Sequence, residues 1–571
     1  MMTFNELQII KRKGVPVDAK QLKLAVLGDS STQLLTEMIQ ATGILNEYHF
    51  DLFEADYNQI HFQVTNRASD LHAFNPDYVL LFLGLPKFTK SFYLSSPEER
   101  LKFAQSKIAE LKTLVNVLVE NNCKVIVTNL PDINDGIFGS YGNKISGSYI
   151  YQLRSYNYFL MNLAVEISNL NIFDFASLVS RNGLLNVRDP KFYITADIFT
   201  SVEILPSFSK GIVDIVLASE GRLKKCVVLD LDNTLWGGVI GDDGIEKIQL
   251  GDLGVGRAFS EFQRWLKELY YRGIILAVCS KNDESNAKEP FIYHDDMILS
   301  LEDIAVFVAN WDNKVDNIKY IQKVLNIGMD SMVFLDDNPA ERDIVRRHIP
   351  EIDVPELPSD PAMYVDYLQG LNLFETASFT ENDFERTRQY QEEAKRVDAE
   401  KSFVNIEEYL KSLQMECKVL PVSGYTIPRV TQLLQRSNQF NLRTIRYSEQ
   451  DITLIAAAED YLCLTFSLRD KFGDNGLVSV VIIKKSKDFF IENWVMSCRV
   501  LKRGLEQFIM QTIFEKAKEY GIRTIRGEYL PTKKNVMVSK LYETLNFNFT
   551  GKYWVLDTAD DITFTHQIKY I

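Results

Sequence analysis

The sequence predicts an α/β protein of three domains, and three observations lead to this prediction. The chain has 571 residues, several times the ~150 residues of a common domain. Its hydrophobic share of 46% and charged share of 25% are those of globular proteins and exclude wholesale disorder. Short apolar runs alternate with amphipathic stretches along much of the chain, which is the pattern of βα units.

The first domain is predicted over residues 1–220 as a doubly wound sheet. The apolar runs at 22–27, 78–83 and 124–128 indicate buried parallel strands. Residues 98–120 have helical spacing and lie between two of these strands. We therefore expect a parallel sheet covered by helices.

The second domain is predicted over residues 221–375. Apolar strands at 226–229, 274–279 and 332–335 continue the alternation of strands and helices. Four prolines between residues 350 and 361 then mark a domain exit.

A charged linker at 376–413 and a third domain at 414–571 complete the predicted organisation. Residues 380–401 are highly charged and predict a solvated connecting helix. Longer strands, such as 477–484, then indicate a mixed α/β domain.

The charge balance narrows the classes of partner. There are 63 Lys and Arg residues against 77 Asp and Glu residues, which gives a net charge of −14 and predicts no nucleic acid and no membrane partner. Six cysteines without a CxxC pair argue against a disulfide-stapled scaffold and a zinc ribbon. The start of the chain has no apolar signal core, and no run is long enough to span a bilayer. We expect a reduced, soluble, cytoplasmic protein.

The most informative segment is the end of the strand at 226–229. Asp230 and Asp232 follow it directly, and the carboxyl ends of strands in an open parallel sheet are where ligands bind. Further along the chain, Ser280 and the pair Asp336-Asp337 end two other predicted strands, and Lys314 follows in the segment NWDNK. Two carboxylates, a hydroxyl and an ammonium group at one edge suit phosphoryl transfer assisted by a hard cation.

These four motifs resemble those of the haloacid dehalogenase (HAD) phosphohydrolases. The resemblance implies a Rossmannoid sheet, with Asp230 as the nucleophile that forms an aspartyl phosphate and Asp232 as the general acid/base. It implies that Ser280 and Lys314 contact the phosphoryl group and that Mg²⁺ is the cofactor. The implied metal ligands are Asp230, Asp232, Asp336 and Asp337, and the implied phosphate contacts next to them are Asn233 and Thr234. The interval between Asp230 and Ser280 is too short for a large cap domain.

The segments WGGVIGDDG, SKND, NWDNK and DDNPAERD together resemble the FkbH-like subgroup from about residue 222 onward. That resemblance implies a HAD domain coupled to an acyltransferase-like domain. Members of the FkbH-like subgroup take a glyceryl group from bisphosphoglycerate, discard the phosphate and load the acyl group on an acyl carrier protein.

The third domain carries basic residues against the acidic trend of the chain. Residues 421–448 contain Arg429, Arg436, Arg443 and Arg446 but no Asp or Glu. Arginines among amide side chains suit phosphate or phosphopantetheine, and ordinary surface arginines are the alternative.

Residues 494–504 (WVMSCRVLKRG) precede an amphipathic helix and resemble the pyrophosphate loop of GNAT acyltransferases. The resemblance implies phosphate or cofactor contacts from Arg499, Arg503, Gly504 and Asn535, and it implies a general acid at Tyr542. Lys502 stands where that family has its first Gly, which puts ordinary CoA binding in doubt.

Cys498 lies at the mouth of the same loop. A thiol beside cationic groups and a helix start has a lowered pKa and could carry an acyl group as a thioester. The alternative is a small buried hydrophobe, the commoner fate of a free Cys.

The first domain resembles the SGNH hydrolases, because Gly28-Asp29-Ser30 follows its first strand. The later block at 189–197 has no His, and Gly84-Leu85-Pro86-Lys87 stands where that family has Gly-x-Asn-Asp. A Ser without a His base is a poor nucleophile, so we expect a non-hydrolytic scaffold or docking domain.

The sequence thus favours a phosphatase/acyltransferase that moves an acyl group from a small phosphorylated donor to a carrier thiol. The alternatives are a plain HAD phosphatase with recognition domains, an N-acyltransferase with an amine acceptor in glycan or secondary-metabolite assembly, and a binding protein without turnover.

Overall fold

The computed structural model describes residues 2–56, 58–380, 383–400, 402–560 and 562–571. The chain forms two compact units, Met1–Leu217 and Ala218–Ile571. Each unit has its own hydrophobic core. The second unit contains two sheets, so the α/β chain has three sheets in all among the described residues.

The first unit is a five-stranded parallel sheet in the order β2-β1-β3-β4-β5. Its strands are β1 Lys20–Gly28, β2 Tyr48–Glu54, β3 Tyr78–Phe82, β4 Lys124–Thr128 and β5 Leu170–Phe173. Its helices are α1 Phe4–Lys13, α2 Gln33–Leu45, α3 Ile60–Thr65, α4 Asp70–Phe74, α5 Leu85–Leu94, α6 Pro97–Arg100, α7 Phe103–Glu120, α8 Tyr149–Glu166, α9 Phe175–Asn182, α10 Leu184–Val187, α11 Pro190–Ala196 and α12 Leu205–Ser219. Short 3₁₀ turns span Gly139–Lys144 and Val202–Ile204.

The three strands predicted for this unit are confirmed as β1, β3 and β4. They form the centre of the sheet, where β3 is buried at every position, as a continuous apolar run requires. The two strands that the sequence analysis missed, β2 and β5, are the edges of the sheet and are partly exposed.

The middle of the chain forms a four-stranded parallel sheet in the order β8-β7-β6-β9. Its strands are β6 Cys226–Leu229, β7 Ile275–Ser280, β8 Ile304–Ala309 and β9 Met332–Leu335. Its helices are α13 Ile240–Asp243, α14 Gly256–Tyr271, α15 Glu284–Tyr293, α16 Lys314–Leu325, α17 Pro339–His348 and α18 Tyr364–Leu371, with 3₁₀ turns at Leu301–Asp303, Met329–Ser331 and Pro361–Met363. Apolar clusters cover both faces of this sheet, as a parallel sheet requires.

Two helices connect this sheet to the last one, α19 Arg386–Glu400 and α20 Ile406–Ser412. The last sheet has eight strands in the order β15-β16-β14-β13-β12-β11-β10-β17. Its strands are β10 Glu416–Pro421, β11 Tyr461–Asp470, β12 Gly473–Lys485, β13 Phe489–Met496, β14 Thr524–Gly527, β15 Asn548–Phe549, β16 Trp554–Asp557 and β17 Lys569–Tyr570. Its helices are α21 Ile427–Arg436, α22 Glu449–Ala457, α23 Leu505–Glu519 and α24 Leu541–Thr544, with 3₁₀ turns at Cys498–Val500 and Val536–Val538.

The prediction that residues 380–401 form a solvated connector is wrong. Tyr390 lies in the core beneath the β6–β9 sheet, and Ala394 and Val397 pack against that core. On another side of α19, the buried Arg396 forms a two-pronged ion pair with Asp470 of the last sheet, with N···O distances of 2.8 Å. The buried Arg396 of α19 is therefore directed at a protein partner, and the helix joins the two sheets of the second unit.

Candidate active site

The predicted carboxylates meet at the carboxyl edge of the β6–β9 sheet. Asp230 directly follows β6, Asp336 directly follows β9, and Ser280 is the last residue of the neighbouring strand β7. Lys314 is the first residue of α16, after β8. The parallel order of the strands therefore brings the four motifs to one edge.

Three carboxylates could hold one cation. Side-chain oxygens of Asp230, Asp336 and Asp337 lie within 4.8 Å of one another. The Lys314 Nζ lies 2.9 Å from Asp230 Oδ1 and 2.6 Å from Asp336 Oδ2. Hard oxygen ligands in this number suit Mg²⁺, so the residues present fit the predicted cofactor.

Burial sets the electrostatics of this cluster. Desolvation and the neighbouring Asp230 raise the pKa of Asp336, which is 0% exposed. The Lys314 side chain is itself buried, but the carboxylates of Asp230 and Asp336 raise its pKa above the ordinary range. Lys314 therefore stays charged and offsets part of the negative charge.

The structure places Asp232 outside the group of three carboxylates that could hold a cation. Its Oδ1 accepts hydrogen bonds from the Trp236 indole and the Ile240 backbone, both at 3.0 Å, and its Oδ2 accepts one from Asn282 at 2.8 Å. Of the four carboxylates predicted as metal ligands, three lie together, and Asp232 is held apart from them by these hydrogen bonds. Desolvation raises the pKa of Asp232, as suits a group that donates a proton.

Asn233 and Thr234 shape the loop in this structure. Asn233 has φ 54° and accepts a hydrogen bond from Gly238 N through its side chain at 2.9 Å. The hydroxyl of the fully buried Thr234 accepts a hydrogen bond from Asp337 N at 3.1 Å. The two residues predicted as phosphate contacts therefore fix the turn and the last carboxylate.

Two positioning residues, Asn282 and Arg342, were not predicted from the sequence. Asn282 orients Asp232, and Arg342 donates hydrogen bonds of 2.7 and 2.6 Å to the backbone carbonyls of Asp336 and Asp337. Both lie inside the motif segments SKND and DDNPAERD, so the signal was present in the sequence.

In the third domain, several predicted phosphate contacts are already paired within the protein. Arg443 bonds Glu492 at 2.8 Å and Glu528 at 2.9 Å. Arg446 donates to the backbone carbonyl of Leu434. Arg503 pairs with Glu393 of α19 and, at 3.4 Å, with Asp470. The prediction of open phosphate contacts at these three arginines is therefore corrected, because partners within the fold take their donors.

The predicted pyrophosphate loop contains two residues in the left-handed conformation, and a carboxylate of the same chain binds one of its backbone N–H groups. Lys502 adopts φ 62° and Gly504 adopts φ 80°, so Lys502 holds the left-handed conformation that usually favours Gly. Lys502 N donates to the carboxylate of Glu506 at 3.3 Å. A carboxylate of α23 thus occupies the place of an anion at its own helix start.

A second segment of the chain, residues 440–442, lies beside β13 where its pairing with β14 has ended. β13 and β14 pair only where residues 489–491 lie beside 525–527. Beyond that point, residues 440–442 bond to β13 through Leu442 N and Trp494 O, at 3.3 Å, and to Leu530 N at 2.9 Å. The predicted phosphate contact Asn535 anchors this insertion with a 2.9 Å hydrogen bond to Asn441 O. An extended ligand arm that entered between β13 and β14 would have to displace residues 440–442.

Tyr542 and Cys498 are both less accessible than the sequence suggests. Tyr542 is 1% exposed, and burial raises its pKa above the ordinary value. Burial also raises the pKa of Cys498, although Lys225 and Arg499 act in the opposite direction. The expected lowering of the Cys498 pKa is therefore wrong, because desolvation outweighs the neighbouring cations.

In the first unit, Ser30 is 2% exposed and its hydroxyl has no partner among the described residues. Beside it, Asp29 accepts a hydrogen bond from Gly84 N at 2.8 Å, and Lys87 pairs with Asp197 at 3.4 Å. These neighbours supply no imidazole base for the Ser30 hydroxyl.

The six cysteines are all free. In the part of the chain that the structure describes, no helix is both long and apolar enough to cross a membrane.

Comparison with known proteins identifies relatives of both units. Residues 23–217 match the family described as FkbH, N-terminal domain, so this match falls on the first unit and not on the motifs after residue 222. The structure of the N-terminal part of BF1531 from Bacteroides fragilis, containing a phosphatase domain complexed with Mg, is 48% identical. It covers 66% of this chain and 100% of its own, with a TM-score of 0.65.

Two further solved structures are more distant. The ribosomal-protein-S18-alanine N-acetyltransferase from Escherichia coli is 16% identical, with coverages of 25% of this chain and 94% of that chain and a TM-score of 0.21. The acetyl xylan esterase AlAXEase is 17% identical, with coverages of 34% and 100% and a TM-score of 0.25. At these scores neither similarity bears on function. No curated protein matches the chain. Because the chain spans the whole of the 48% identical structure, it belongs to the same family as the Bacteroides fragilis protein BF1531.

Proposed function

We propose that the protein is a magnesium-dependent phosphohydrolase that reacts at Asp230. The observation that carries this proposal is the meeting of Asp230, Asp336 and Asp337 with the ammonium group of Lys314 at one edge of the β6–β9 sheet. The relative with 48% identity, whose structure contains a phosphatase domain and Mg, supports it. Mg²⁺ bound by the three carboxylates would offset the negative charge of an incoming phosphoryl group.

The residues of the chain then have distinct roles. An Asp230 oxygen attacks phosphorus and forms an aspartyl phosphate, while the bond from phosphorus to the leaving oxygen breaks. Asp232, oriented by Trp236 and Asn282, donates a proton to that oxygen and later takes one from the attacking water. Lys314 holds positive charge beside the nucleophile throughout.

A second candidate is coupled acyl transfer to an acyl carrier protein or another thiol or amine acceptor. The match of residues 23–217 to the FkbH N-terminal domain favours it. So does the short segment between β6 and α14, in which α13 is the one helix among the described residues and which is too short to form a large cap over the site. A small phosphorylated metabolite such as bisphosphoglycerate would be the donor.

The position of Cys498 constrains how such a transfer can occur. The backbone carbonyl of Cys498 accepts a hydrogen bond from the side chain of Asn326, which follows the last residue of α16, whereas Lys314 at the Asp230 site is the first residue of α16. Twelve residue steps at about 1.5 Å each separate the two ends of this helix by roughly 18 Å. A thioester on Cys498 therefore cannot form directly at the Asp230 site. The acceptor thiol has to reach the carboxyl edge from outside.

Phosphate release tests the first proposal. With Mg²⁺ and p-nitrophenyl phosphate or bisphosphoglycerate, the wild-type protein should release phosphate and Asp230→Asn should lose at least about 10³-fold in kcat, because the nucleophile is gone. Asp343→Asn, on the exposed side of α17, is the matched control and should keep wild-type activity. Full activity in Asp230→Asn would sink the proposal.

The carrier reaction separates the two candidates. The protein is incubated with Mg²⁺, bisphosphoglycerate and a phosphopantetheinylated carrier protein, and the carrier is weighed by intact-mass spectrometry. A gain in carrier mass supports coupled acyl transfer. Phosphate release with an unmodified carrier supports the phosphohydrolase activity without acyl transfer.

A further inference from the structure

An ion pair crosses the end of β6 at the candidate active site. Lys281 directly follows β7, and Glu341 lies in the first turn of α17, which begins shortly after β9. The Lys281 Nζ lies 2.6 Å from Glu341 Oε1. In the sheet β6 lies between β7 and β9, which places these two strands about 10 Å apart. The two long side chains therefore meet across the sheet edge at which Asp230 lies.

This ion pair can separate at little cost. The Lys281 side chain is 39% exposed, so water can solvate its ammonium group. Glu341 lies at the start of α17, where the backbone N–H groups favour a carboxylate. Ion pairs with a solvent-accessible partner contribute little to stability. Both charges thus keep a favourable environment when the pair separates.

The other cationic side chains described at this edge are already engaged. Lys314 contacts two of the three carboxylates that could hold a cation. Arg342 donates to the backbone carbonyls of the last two carboxylate residues and to Glu356. Lys314 and Mg²⁺ together balance the three carboxylates, so a phosphoryl dianion adds two further negative charges. A second mobile cation at this edge would offset part of them, and Lys281 is in place to do so.

We propose that Lys281 leaves Glu341 when a substrate enters and binds the phosphoryl oxygens beside Lys314. An ammonium group on a flexible four-carbon stem can exchange one anionic partner for another. Lys281 also directly follows Ser280, the last residue of β7. This inference rests on the proposed phosphohydrolase function and adds a substrate-binding residue to it.

Binding of inorganic phosphate to the full chain in the presence of Mg²⁺ tests the inference without turnover. Calorimetric titration compares the wild type, Lys281→Met, Glu341→Gln and the double variant. In the wild-type background, Lys281→Met should weaken phosphate binding by at least about 3-fold, because the phosphate contact is partly offset by the broken ion pair. In the Glu341→Gln background, the same change should weaken binding by at least about 10-fold, because no ion pair has to separate first.

Lys288→Met is the matched control. It removes a lysine of α15 that pairs with Glu284 on the same helix, so it breaks an ion pair that does not cross the end of β6. This variant should bind phosphate as the wild type does. Thermal unfolding checks that each variant is folded, and Lys281→Gln replaces Lys281→Met, with the same expected losses, if the latter is not.

Two results would overturn the inference. One is unchanged phosphate binding in Lys281→Met. The other is an equal loss in the two backgrounds, which would mean that Lys281 acts from its place beside Glu341. A wild-type protein that neither binds nor releases phosphate would count against the proposed function and this inference together, whereas phosphate release with either of the two results counts against the inference alone.

Discussion

Among single residues, Asp29 carries a buried carboxyl group in the first unit. Desolvation raises its pKa to about 7 against the hydrogen bond from Gly84. A raised carboxyl pKa means that the folded state binds the proton more tightly than the unfolded state does, so stability falls as pH rises from about 4 to about 7. Asp29→Asn keeps the acceptor and removes the charge. It should stabilise this unit by about 1–3 kcal/mol above pH 7 and by little at pH 4.

Hydrogen exchange of the β1 and β3 amides at both pH values measures this effect within the full chain. Asp51→Asn, at an exposed position of β2, is the control and should leave exchange unchanged. Equal protection in Asp29→Asn and the wild type at pH 8 would show that the Asp29 carboxylate is not destabilising.

At the scale of elements, α19 makes the most specific prediction. Arg396→Met leaves the Asp470 side chain, which is 0% exposed, with Arg503 as its one cationic partner among the described residues, at 3.4 Å, beside the backbone N–H groups of Phe472 and Gly473. The change should cost about 3 kcal/mol of unfolding free energy. Arg388→Ala on the exposed face of the same helix should cost at most about 1 kcal/mol. The double variant Arg396→Met/Asp470→Leu should recover much of the loss, since no buried charge is then left unpaired. Urea unfolding of the four proteins measures these differences, and equal costs for Arg396→Met and Arg388→Ala would contradict the packing described for α19.

The elements also show what the sequence could and could not predict. Central strands such as β3 are buried at every position, so their apolar runs are visible in the sequence. The edge strand β2 is half exposed and mixes polar and apolar residues, which hides it. In α19, Tyr390, Ala394 and Val397 form a helical stripe beneath a high density of charge, and the charge dominated the prediction.

The residues of the candidate site likewise divide into those that the sequence could predict and those that it could not. Asp230, Ser280, Lys314 and Asp336 were predictable because each ends a strand or follows one closely, and parallel strands bring their carboxyl ends together. The partners of Arg443 and Arg503 were not predictable, because Glu492, Glu528 and Glu393 are distant in the sequence and only the fold brings them near.

At the scale of the whole molecule, the two compact units predict which fragments fold. Residues 1–220 contain a complete core and should unfold cooperatively when expressed alone. Residues 221–375 lack α19, whose Tyr390 belongs to the core of the β6–β9 sheet, and should expose apolar surface and bind a hydrophobic dye. Residues 221–571 restore α19 and should behave as a folded protein. Near-ultraviolet circular dichroism and thermal unfolding compare the three fragments, and a cooperative, dye-free 221–375 fragment would contradict the role of α19.

The proposed reaction carries a phosphoryl group on Asp230. Acid quenching during turnover with Mg²⁺ and bisphosphoglycerate, followed by borohydride reduction and peptide mass mapping, reads that residue directly, because reduction converts an aspartyl phosphate to homoserine. Homoserine is expected at position 230 in the wild type, and none is expected when Mg²⁺ is omitted. Continued phosphate release with unmodified Asp230, or modification at another carboxylate, would contradict it.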